Sequence, residues 1–389
     1  MLSTNERHHG RGGHMGQRLR EARKQRGWSQ ERLVREISRY AEQHLIDVAS
    51  PASLKVYVSE WENGRRAVSS TYALILRALF GKTDDELFGA PESAAPAADG
   101  YDELIGRIDS ARSLSLGMVD TFLNQTELLR SFDRQMGAAA LVDQMRAHLD
   151  ALEDALTFAV LPDARRPVAT ALAGAATLAA WQALDVGAVE RAWRHYELGK
   201  RAAAEAEQPM YLAHAMAEQA YVLADAGRPE MAVDLVRDAQ RTGGTKVSPR
   251  LAAWLFAAEA ELCAKAGLAR DCRDALDRAA AVLPAGDEAR DPDMLSIFLN
   301  AGHMARWRGN ALAMLGEDDA LAELYVALER MDPAFTRATA GLRCDLAQAH
   351  LARGEFGQAR EHLQKARLLA NRTGSVRQRR RIERLTGRL

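Results

Sequence analysis

The sequence feature that most constrains the fold is an internal repeat in the second half of the chain. Five glycines recur there at spacings of 40, 40, 49 and 38 residues, and each has a small residue seven positions before it. A glycine readily takes the left-handed conformation that ends a helix, and small residues allow two helices to approach closely. We therefore expect each copy to be a hairpin of two helices. The glycines are Gly187, Gly227, Gly267, Gly316 and Gly354, and the small residues are Ala180, Ala220, Ala260, Gly309 and Ala347.

The fourth copy shows the pattern most clearly. It consists of Gly309, Leu312, Gly316, Tyr325, Leu328 and Pro333. This copy resembles the tetratricopeptide repeat (TPR), a family of stacked helical hairpins. The resemblance implies an all-α fold with a TPR-like α-solenoid over residues 169–389. Because the period exceeds the roughly 34 residues of that family, we expect longer helices or larger loops here.

Two short phrases near the start of the chain predict a separate domain over residues 15–88. The first phrase, residues 28–33, reads Trp-Ser-Gln-Glu-Arg-Leu, and the second, residues 58–66, reads Val-Ser-Glu-Trp-Glu-Asn-Gly-Arg-Arg. Ser29 can cap a helix by accepting a hydrogen bond from a free backbone N–H, and Gly64 can end one. A capped helix, a helix that ends in Asn-Gly and a basic pair together indicate a helix-turn-helix.

These phrases resemble the Xre/Cro-like helix-turn-helix family of transcriptional regulators. The resemblance implies that this N-terminal domain binds double-stranded operator DNA, with a recognition helix that begins near Pro51. In the family the two helices of the motif follow each other closely, whereas residues 38–51 intervene in this chain. The insertion either lengthens the first of the two helices or adds a loop.

The expected DNA contacts lie on and beside the recognition helix. The family resemblance places Gln30 at a phosphate or base. Lys55 suits a guanine edge or a phosphate, and Val56 suits a thymine methyl group. Arg65 and Arg66 suit contacts with the DNA backbone, and the alternative is that they are solvated surface charges. The candidate DNA-binding set is Gln30, Lys55, Val56, Tyr57, Ser59, Glu60, Asn63, Arg65 and Arg66.

The net charge of −1 conceals an uneven distribution. Residues 1–70 hold 13 Lys/Arg against 8 Asp/Glu, and residues 372–389 hold 7 against 1, so the remaining body is acidic. A basic N-terminal domain suits DNA, because phosphate neutralisation supplies much of the affinity. Residues 377–385 form a basic amphipathic helix by their pattern. This helix is either a solubilising cap on the last repeat or a contact for DNA or for an acidic groove.

The remaining segments have simpler patterns. Residues 1–14 are polar and are expected to be disordered, and residues 89–100 form a linker rich in Pro and Ala. Residues 101–168 are expected to form amphipathic helices. Their apolar series either pack on the following helices or form the dimer seam that a reader of palindromic sites requires. The two series are Leu128, Leu129, Phe132 and Met136, and Leu141, Met145, Leu149, Leu152 and Leu156.

The first helix of each hairpin is expected to line the concave face of the solenoid. His303, Arg306 and Asn310 share one face of one such helix, because they are spaced by three and four residues. With aromatic neighbours they suit a peptide, whose amides or carboxylate Arg and Asn can bind. The alternative is a set of ordinary polar residues in a hydrated groove. The candidate ligand-binding set is Trp181, His214, Tyr221, Trp254, Glu261, His303, Arg306, Asn310 and Gln348.

Several functions are not expected from the sequence. It has no phosphate loop, nucleophile elbow or zinc-protease motif, so we expect neither an enzyme nor a cofactor. The three cysteines form neither a disulfide framework nor a zinc site. Cys263 and Cys272 fall at facing small positions of one hairpin, where they are buried small residues or, alternatively, a redox pair. No apolar run reaches the roughly 20 residues of a membrane span, and we expect a cytoplasmic protein.

Together these features predict a sequence-specific DNA-binding transcriptional regulator that acts as a homodimer. Its repeat domain would sense a small molecule or a signalling peptide, as in quorum sensing. Residues 129–141 and the arginine-rich end are similar to actinobacterial Xre-type regulators, and the domain order is similar to that of Rap, Rgg and PlcR-like peptide-sensing regulators. The alternative is a TPR adaptor for protein–protein interaction with a weak or accessory DNA-binding domain.

Overall fold

The computed structural model describes residues 13–44, 46, 48–66, 68–88, 100–112, 116–286, 288–332 and 334–389. This part of the chain is helical and contains no β-strand, only an isolated bridge between Arg290 and Phe298. The all-α expectation is therefore confirmed for the described residues. Two compact units are present, divided after Leu104. Most of the expected tail, most of the expected linker and Pro333 lie outside the described residues.

The first unit, called the head below, has a core to which all five of its short helices contribute. Its helices are α1 (Gly13–Gln25), α2 (Gln30–Gln43), α3 (Pro51–Glu62), α4 (Ser70–Phe80) and α5 (Asp84–Phe88), and α6 (Gly100–Arg112) spans the boundary between the units. Leu33 and Ile37 of α2 pack with Leu54, Val58 and Trp61 of α3, and all five are buried. These are the two helices that the sequence predicts as the helix-turn-helix.

The ends of α2 and α3 follow from their sequences. The side chain of Ser29 accepts a hydrogen bond from the backbone N–H of Arg32 (3.1 Å) and caps α2. Ser50 caps α3 in the same way, and Pro51 lies in the first turn, where a missing N–H has no helical partner to lose. After α3, Gly64 has a φ of +64°. The helix start and stop that the sequence predicts are both confirmed.

The insertion at residues 38–51 combines both expected alternatives. α2 continues to Gln43, so the first part of the insertion lengthens this helix, and residues 44–50 then connect it to α3. The connection is held by the backbone N–H of Ala49, which donates to the hydroxyl of Tyr72 on α4 (3.0 Å). Since α2 and α3 still pack against each other, the insertion enlarges the turn without separating the two helices.

The second unit, called the repeat unit below, is a stack of helical hairpins. Its helices are α7 (Leu116–Met136), α8 (Val142–Phe158), α9 (Pro162–Asp185), α10 (Val189–Glu205), α11 (Pro209–Asp225), α12 (Pro229–Gly243), α13 (Pro249–Lys265), α14 (Ala269–Val282), α15 (Ala301–Leu315), α16 (Ala320–Glu329), α17 (Thr336–Ala352), α18 (Phe356–Thr373) and α19 (Val376–Thr386). The successive pairs from α9–α10 to α17–α18 pack as five hairpins. The TPR-like α-solenoid is thereby confirmed.

Each hairpin turns at the glycine that the repeat predicts. All five glycines have φ between +71° and +81°, which other residues rarely adopt. The small residues seven positions earlier are buried where the two helices meet. At Gly309 a Cβ would lie 2.7 Å from Cγ of Leu324, so this crossing requires a glycine. The fourth hairpin departs from the others at Tyr325, which is 43% exposed.

The spacing of 49 residues arises from the long segment 283–300 between α14 and α15. Arg250 on α13 supports this segment, because its Nη1 donates to the carbonyl oxygens of Glu288 and Leu299, both at 2.9 Å. Asp291 is fully buried and accepts a hydrogen bond from the hydroxyl of Ser248. The described residues of this segment are therefore held against α13, and the hairpins on either side keep the usual packing.

The apolar residues predicted within residues 101–168 divide into a buried group and an exposed group. One group is buried against α9, namely Leu129, Leu141, Met145, Leu149, Leu152 and Leu156. Leu128, Phe132 and Met136 of α7 instead face outward and are 55%, 40% and 47% exposed. Intramolecular packing therefore explains α8, whereas α7 presents an apolar stripe that the described chain does not cover.

Helix α9 is the central helix of the repeat unit. By length and composition alone it could cross a membrane, with a mean hydropathy of 1.2, but 78% of its most apolar stretch is buried inside the protein. It packs against α7, α8, α10, α11 and α19. This degree of burial is typical of a core helix.

The two ends of the repeat unit meet, so that the solenoid closes on itself. α7 packs against α17 and α18, and α19 packs against α9. Gly137 approaches Thr373 so closely that a Cβ at Gly137 would lie 2.1 Å from the carbonyl oxygen of Thr373. The hydroxyl of Ser375 donates to Asp185 at 2.6 Å. We call these two contacts, Gly137–Thr373 and Ser375–Asp185, the closure.

Candidate DNA-binding surface and ligand groove

The exposed face of α3 carries the first group of expected DNA contacts. Lys55 and Val56 are exposed, Val56 by 54%, while Ser59 and Glu60 one turn later are half-buried. Nζ of Lys55 lies 3.2 Å from a carboxylate oxygen of Glu31 on α2. Both side chains of that pair are more than half exposed, so the pair is weak and Lys55 can exchange it for a phosphate.

Arg66 is positioned by an aromatic ring. Its guanidinium lies 3.7 Å from the ring centroid of Tyr57, and its Nη1 lies 3.4 Å from Oε2 of Glu60. Tyr57 is half-buried and packs against Trp61, with ring centroids 6.0 Å apart. Stacking of this kind holds a guanidinium in one orientation. Arg65 is exposed beside it.

The carboxylate of Glu62 joins α3 to α1 and α2. It is buried and accepts hydrogen bonds from Nε and Nη2 of Arg23 at 2.5 and 2.9 Å, and from Nε2 of Gln30 at 2.9 Å. Burial raises the pKa of Glu62, but these hydrogen bonds and the charge of Arg23 outweigh it, so the pKa is lowered. Gln30, the first residue of α2, is thus held by Glu62, the last residue of α3.

Asn63 closes the C-terminal end of α3. Its Nδ2 donates to the carbonyl oxygen of Ser59 (2.7 Å), and its Oδ1 accepts from Nη2 of Arg20 on α1 (2.5 Å). The side chain is exposed. Of the expected DNA-binding set, Gln30 and Asn63 therefore have defined roles within the head, while Lys55, Val56 and Arg65 form its open surface.

In the repeat unit, Arg377 of α19 lies among three residues of the expected ligand-binding set, Trp181, Tyr221 and Glu261. The rings of Trp181 and Tyr221 are nearly perpendicular, 6.1 Å apart, and the hydroxyl of Tyr221 donates to Glu261 (3.1 Å). The guanidinium of Arg377 lies 5.2 and 5.7 Å from the two rings and donates to both carboxylate oxygens of Asp225, at 2.6 and 3.2 Å. Burial raises the pKa of Tyr221 well above its ordinary value.

The same helix makes a second contact with the groove. Nη1 of Arg381 lies 2.6 Å from Asp345, and its Nη2 donates to Oε1 of Gln348 at 3.3 Å. Asn310 donates to the same carboxylate oxygen of Asp345 at 2.5 Å. Arg377 and Arg381 are four residues apart and share one face of α19. The basic C-terminal helix thus contacts an acidic groove, one of its expected alternatives, and the groove belongs to its own chain.

His214 and Trp254 lie further along the hairpins. His214 is buried, its ring lies 5.0 Å from that of Trp254, and its Nε2 lies 3.4 Å from Glu218. The ring of Trp254 lies 5.9 Å from that of Trp307, a residue outside the expected set. These rings form an apolar patch on the half-buried side of α13 and α15.

His303 and Arg306 lie on the first turns of α15. Nδ1 of His303 is 2.6 Å from the side-chain oxygen of Asn300, and its ring contacts Phe298 and Phe335 at 4.8 and 6.1 Å. Nε of Arg306 is buried and has no hydrogen-bond partner within the described chain. The expected stripe therefore spans two environments. His303 lies among aromatic rings and Asn310 bonds to Asp345, while the charge of Arg306 acts on both His303 and Tyr221.

A change of pH should reveal the neutral state of His303. Burial, then the charges of Arg306 and Arg134, lower its pKa to about 4, whereas the unfolded chain binds this proton near pH 6.5. Stability from neutral His303 is thus complete above about pH 6.5 and is lost as the pH falls towards 4, by at most about 1.4 kcal/mol per pH unit. We expect the stability difference between wild type and His303→Gln, measured by urea unfolding, to shrink from pH 7 to pH 5. A constant difference would contradict this assignment.

Several buried polar atoms of the concave side have no hydrogen-bond partner within the described residues. They are Oδ1 of Asn310, Nε of Arg306, Nε2 of Gln182, Oδ2 of Asp185 and Oε1 of Gln378. Buried polar groups are otherwise almost always satisfied in folded proteins. This side of the repeat unit is therefore suited to water or to a polar ligand.

Sequence reasoning missed several residues that the fold brings to this region. Arg134 and Arg337 lie on α7 and at the start of α17, and Phe298 and Phe335 lie in connecting segments. None of them lies in the middle of the first helix of a hairpin, which is where the repeat pattern predicts groove residues. Arg377 was visible only as one charge of a basic stretch, because nothing in the local sequence shows where that stretch docks.

The described chain shows no group of three or more His, Cys, Asp or Glu side chains that could hold a metal ion. Cys263 and Cys272 are buried and free, and burial raises their pKa values to about 12 and about 11. Thiols in this state are unreactive because the thiolate is the reactive form. Their position supports the interpretation as small buried residues.

The chain is similar to solved structures of helical proteins. No protein-family model and no curated protein matches the chain. Among solved structures, a Rap protein complexed with competence and sporulation factor has 15% sequence identity, and the match covers 91% of this chain and 98% of that chain with a TM-score of 0.44. A similarity at this level supports no assignment of ligand or activity. What the chain's own geometry establishes is an all-helical head and a TPR-like helical repeat unit.

Proposed function

We propose that this protein is a cytoplasmic, sequence-specific DNA-binding regulator whose repeat unit binds a small ligand or a peptide. One observation carries the DNA-binding part. α3 buries Leu54, Val58 and Trp61 in the core while it presents Lys55 and Val56 to solvent, as the recognition helix of a helix-turn-helix must. The surplus of basic residues in the N-terminal part of the chain supplies the long-range attraction to phosphate.

DNA binding can be tested with two variants and a matched control. Lys55→Ala and Arg65→Ala each remove an exposed charge beside the core face of α3 and should weaken binding to a footprinted site by about tenfold. A residue that contacts phosphate should also reduce the slope of log affinity against log salt by about one unit. The control is Lys82→Ala, because Lys82 follows α4 and donates to Gln25 of α1 (3.1 Å). Equal affinities of all three variants would reject α3 as the recognition helix.

The ligand-binding part is supported by the polar interior of the repeat unit. Closure brings the concave side into contact with α19, and several buried polar atoms there lack partners within the described chain. A ligand can shift the equilibrium between two arrangements only by its differential affinity for them. Displacement of Arg377 from Asp225 is one such difference. Addition of the ligand should therefore change operator affinity in the wild type and leave it unchanged in Asp225→Asn.

The exposed stripe of α7 supports a homodimer. Leu128, Phe132 and Met136 are spaced by four residues, so they form one apolar face. The triple variant to serine should convert a dimer to a monomer in light scattering at micromolar concentration, because the apolar area that drives association is lost. Leu368, exposed by 72% on α18, provides a control, and Leu368→Ser should leave the mass unchanged. A dimer that survives the triple change would place the interface elsewhere.

A TPR adaptor is the second candidate. The observation that favours it is that most of the expected groove residues already have partners in their own chain, for instance Asn310 with Asp345 and Tyr221 with Glu261. In that function the repeat unit would bind another folded protein with its exposed surface. A pull-down distinguishes the two candidate functions. An adaptor should capture a folded partner protein in the wild type and equally in Lys55→Ala and Arg65→Ala.

A further inference from the structure

Three arginines surround the N-terminal end of α15. Arg134 lies on α7, Arg290 lies in segment 283–300, and Arg306 lies on α15 itself. None of them forms an ion pair within the described residues, and Nε of Arg306 is buried without an acceptor. The acids closest to Arg134 in sequence are engaged elsewhere. This is therefore a local surplus of positive charge in an otherwise acidic repeat unit.

The two acids closest to Arg134 in sequence are each paired with another arginine. Glu127 accepts a hydrogen bond from Nε of Arg130 at 3.1 Å, and the buried Asp133 lies 2.6 Å from Nη1 of Arg337. Each acid is thus matched by an arginine of its own. Arg134 itself forms no ion pair within the described residues; two phenylalanine rings lie against it, and the charge of Glu127 acts on it without a direct bond.

Aromatic side chains form the walls around this charge. The guanidinium of Arg134 lies 5.4 Å from the ring centroid of Phe298 and 5.3 Å from that of Phe335, and these two rings are 5.4 Å apart. His303 packs edge-on against Phe298 at 4.8 Å. With a pKa of about 4, its imidazole is neutral at physiological pH. The cluster therefore combines guanidinium groups with a largely apolar wall.

The burial of the Arg134 guanidinium means that a bound anion would stabilise its positive charge. Burial, then the charges of Arg130 and other arginines, lowers its pKa to about 10. A partly buried guanidinium without a carboxylate is costly, and an added anion recovers both Coulomb energy and hydrogen bonds. The N-terminal ends of α15 and α17, which begin at Ala301 and Thr336, add further positive potential.

We propose that Arg134 and Arg306, with Phe298 and Phe335, form a binding site for a carboxylate that has an apolar or aromatic neighbour, such as the C-terminal residue of a peptide. A guanidinium matches a carboxylate in plane and in donor spacing, and the rings receive the adjacent side chain. The site rests on the proposed ligand-binding function of the repeat unit and gives its ligand a chemical class. The acidic contacts of α19 with Asp225 and Asp345 are unsuited to the same group.

The test uses the full-length protein and two probes that differ in one group. N-acetyl-L-phenylalanine carries the carboxylate and the ring, and its primary amide carries the ring alone. Calorimetric titration should show binding of the acid at least about tenfold tighter than binding of the amide, a difference of about 1.4 kcal/mol. Arg134→Gln and Arg306→Gln should each abolish this preference. Arg308→Gln, on the same helix but paired with Asp277 at 3.4 Å, should retain it.

Thermal unfolding of the free variants separates a binding role from a structural one. Because Arg134 and Arg306 form no ion pair with a carboxylate of the described residues, Arg134→Gln and Arg306→Gln should unfold at the wild-type temperature or above it. A lower temperature for both would assign them a structural role and overturn the proposal. So would equal binding of acid and amide, or tighter binding of inorganic phosphate than of the acid. These binding measurements contain no DNA, so they can fail while the operator experiments succeed.

Discussion

Alanine at Gly137 is expected to destabilise the repeat unit by about 3–5 kcal/mol, because two independent costs fall on the same atom. Gly137 has a φ of +84° and a ψ of +167°, a conformation that is almost confined to glycine. The new Cβ would also lie 2.1 Å from the carbonyl oxygen of Thr373 and 2.8 Å from its carbonyl carbon. Backbone atoms cannot rotate away as a side chain can, so α18 must shift or the closure must open.

The matched control for this change is Gly267→Ala. Gly267 has a φ of +74°, but a Cβ there would meet nothing within 4 Å, so only the conformational cost of about 1 kcal/mol remains. Hydrogen exchange should show faster exchange in α7, α18 and α19 of Gly137→Ala, with urea unfolding supplying the free energies. Equal losses in the two variants would show that the approach to Thr373 does not hold the ends together.

Alanine at Glu62 is expected to have a comparable effect on the head, about 3–5 kcal/mol. The change leaves the buried guanidinium of Arg23 without its counter-charge and releases Gln30 from its only acceptor on α3. Because the pKa of Glu62 is lowered in the folded state, its contribution is complete above the ordinary carboxylate pKa and is lost as the pH falls through the folded value.

Hydrogen exchange of the intact protein can assign this effect to the head. Exchange should accelerate in α1, α2 and α3 of Glu62→Ala, while the repeat unit keeps its wild-type rates. Glu31→Ala is the control, since Glu31 is exposed and forms its contacts with Lys55 and with the first turn of α2. Its loss should change exchange far less than the loss of the buried Glu62. Wild-type exchange in Glu62→Ala would mean that the contact with Arg23 contributes little to folding.

The fold could be predicted at positions where the local backbone conformation requires a particular residue type. Ser29 and Gly64 mark helix ends because a cap and a left-handed turn are needed at those positions, and Gly187 and its counterparts mark the hairpin turns for the same reason. The closure could not be predicted in this way. Ser375 and Asp185 are 190 residues apart, and no local pattern records a contact that depends on the accumulated curvature of five hairpins.

The candidate site was predictable only in part for a related reason. Helical periodicity correctly groups His303 and Arg306 on one face, but it cannot show that Arg134 reaches the same region from α7. It also cannot distinguish a groove residue that remains available, such as Arg306, from one that is already bonded, such as Asn310. Those distinctions depend on tertiary neighbours.

The closure has a consequence for how the protein folds. In an open solenoid each repeat contacts only its neighbours, so folding can start anywhere and the stability is approximately a sum along the chain. Here Gly137 and Thr373 link the first helices to the last, which turns a linear array into a cooperative ring. During synthesis the hairpins can stack one by one, but the ring becomes complete only after α18 and α19 have left the ribosome. Chains that lack these two helices should therefore unfold gradually, whereas the complete repeat unit unfolds in one step.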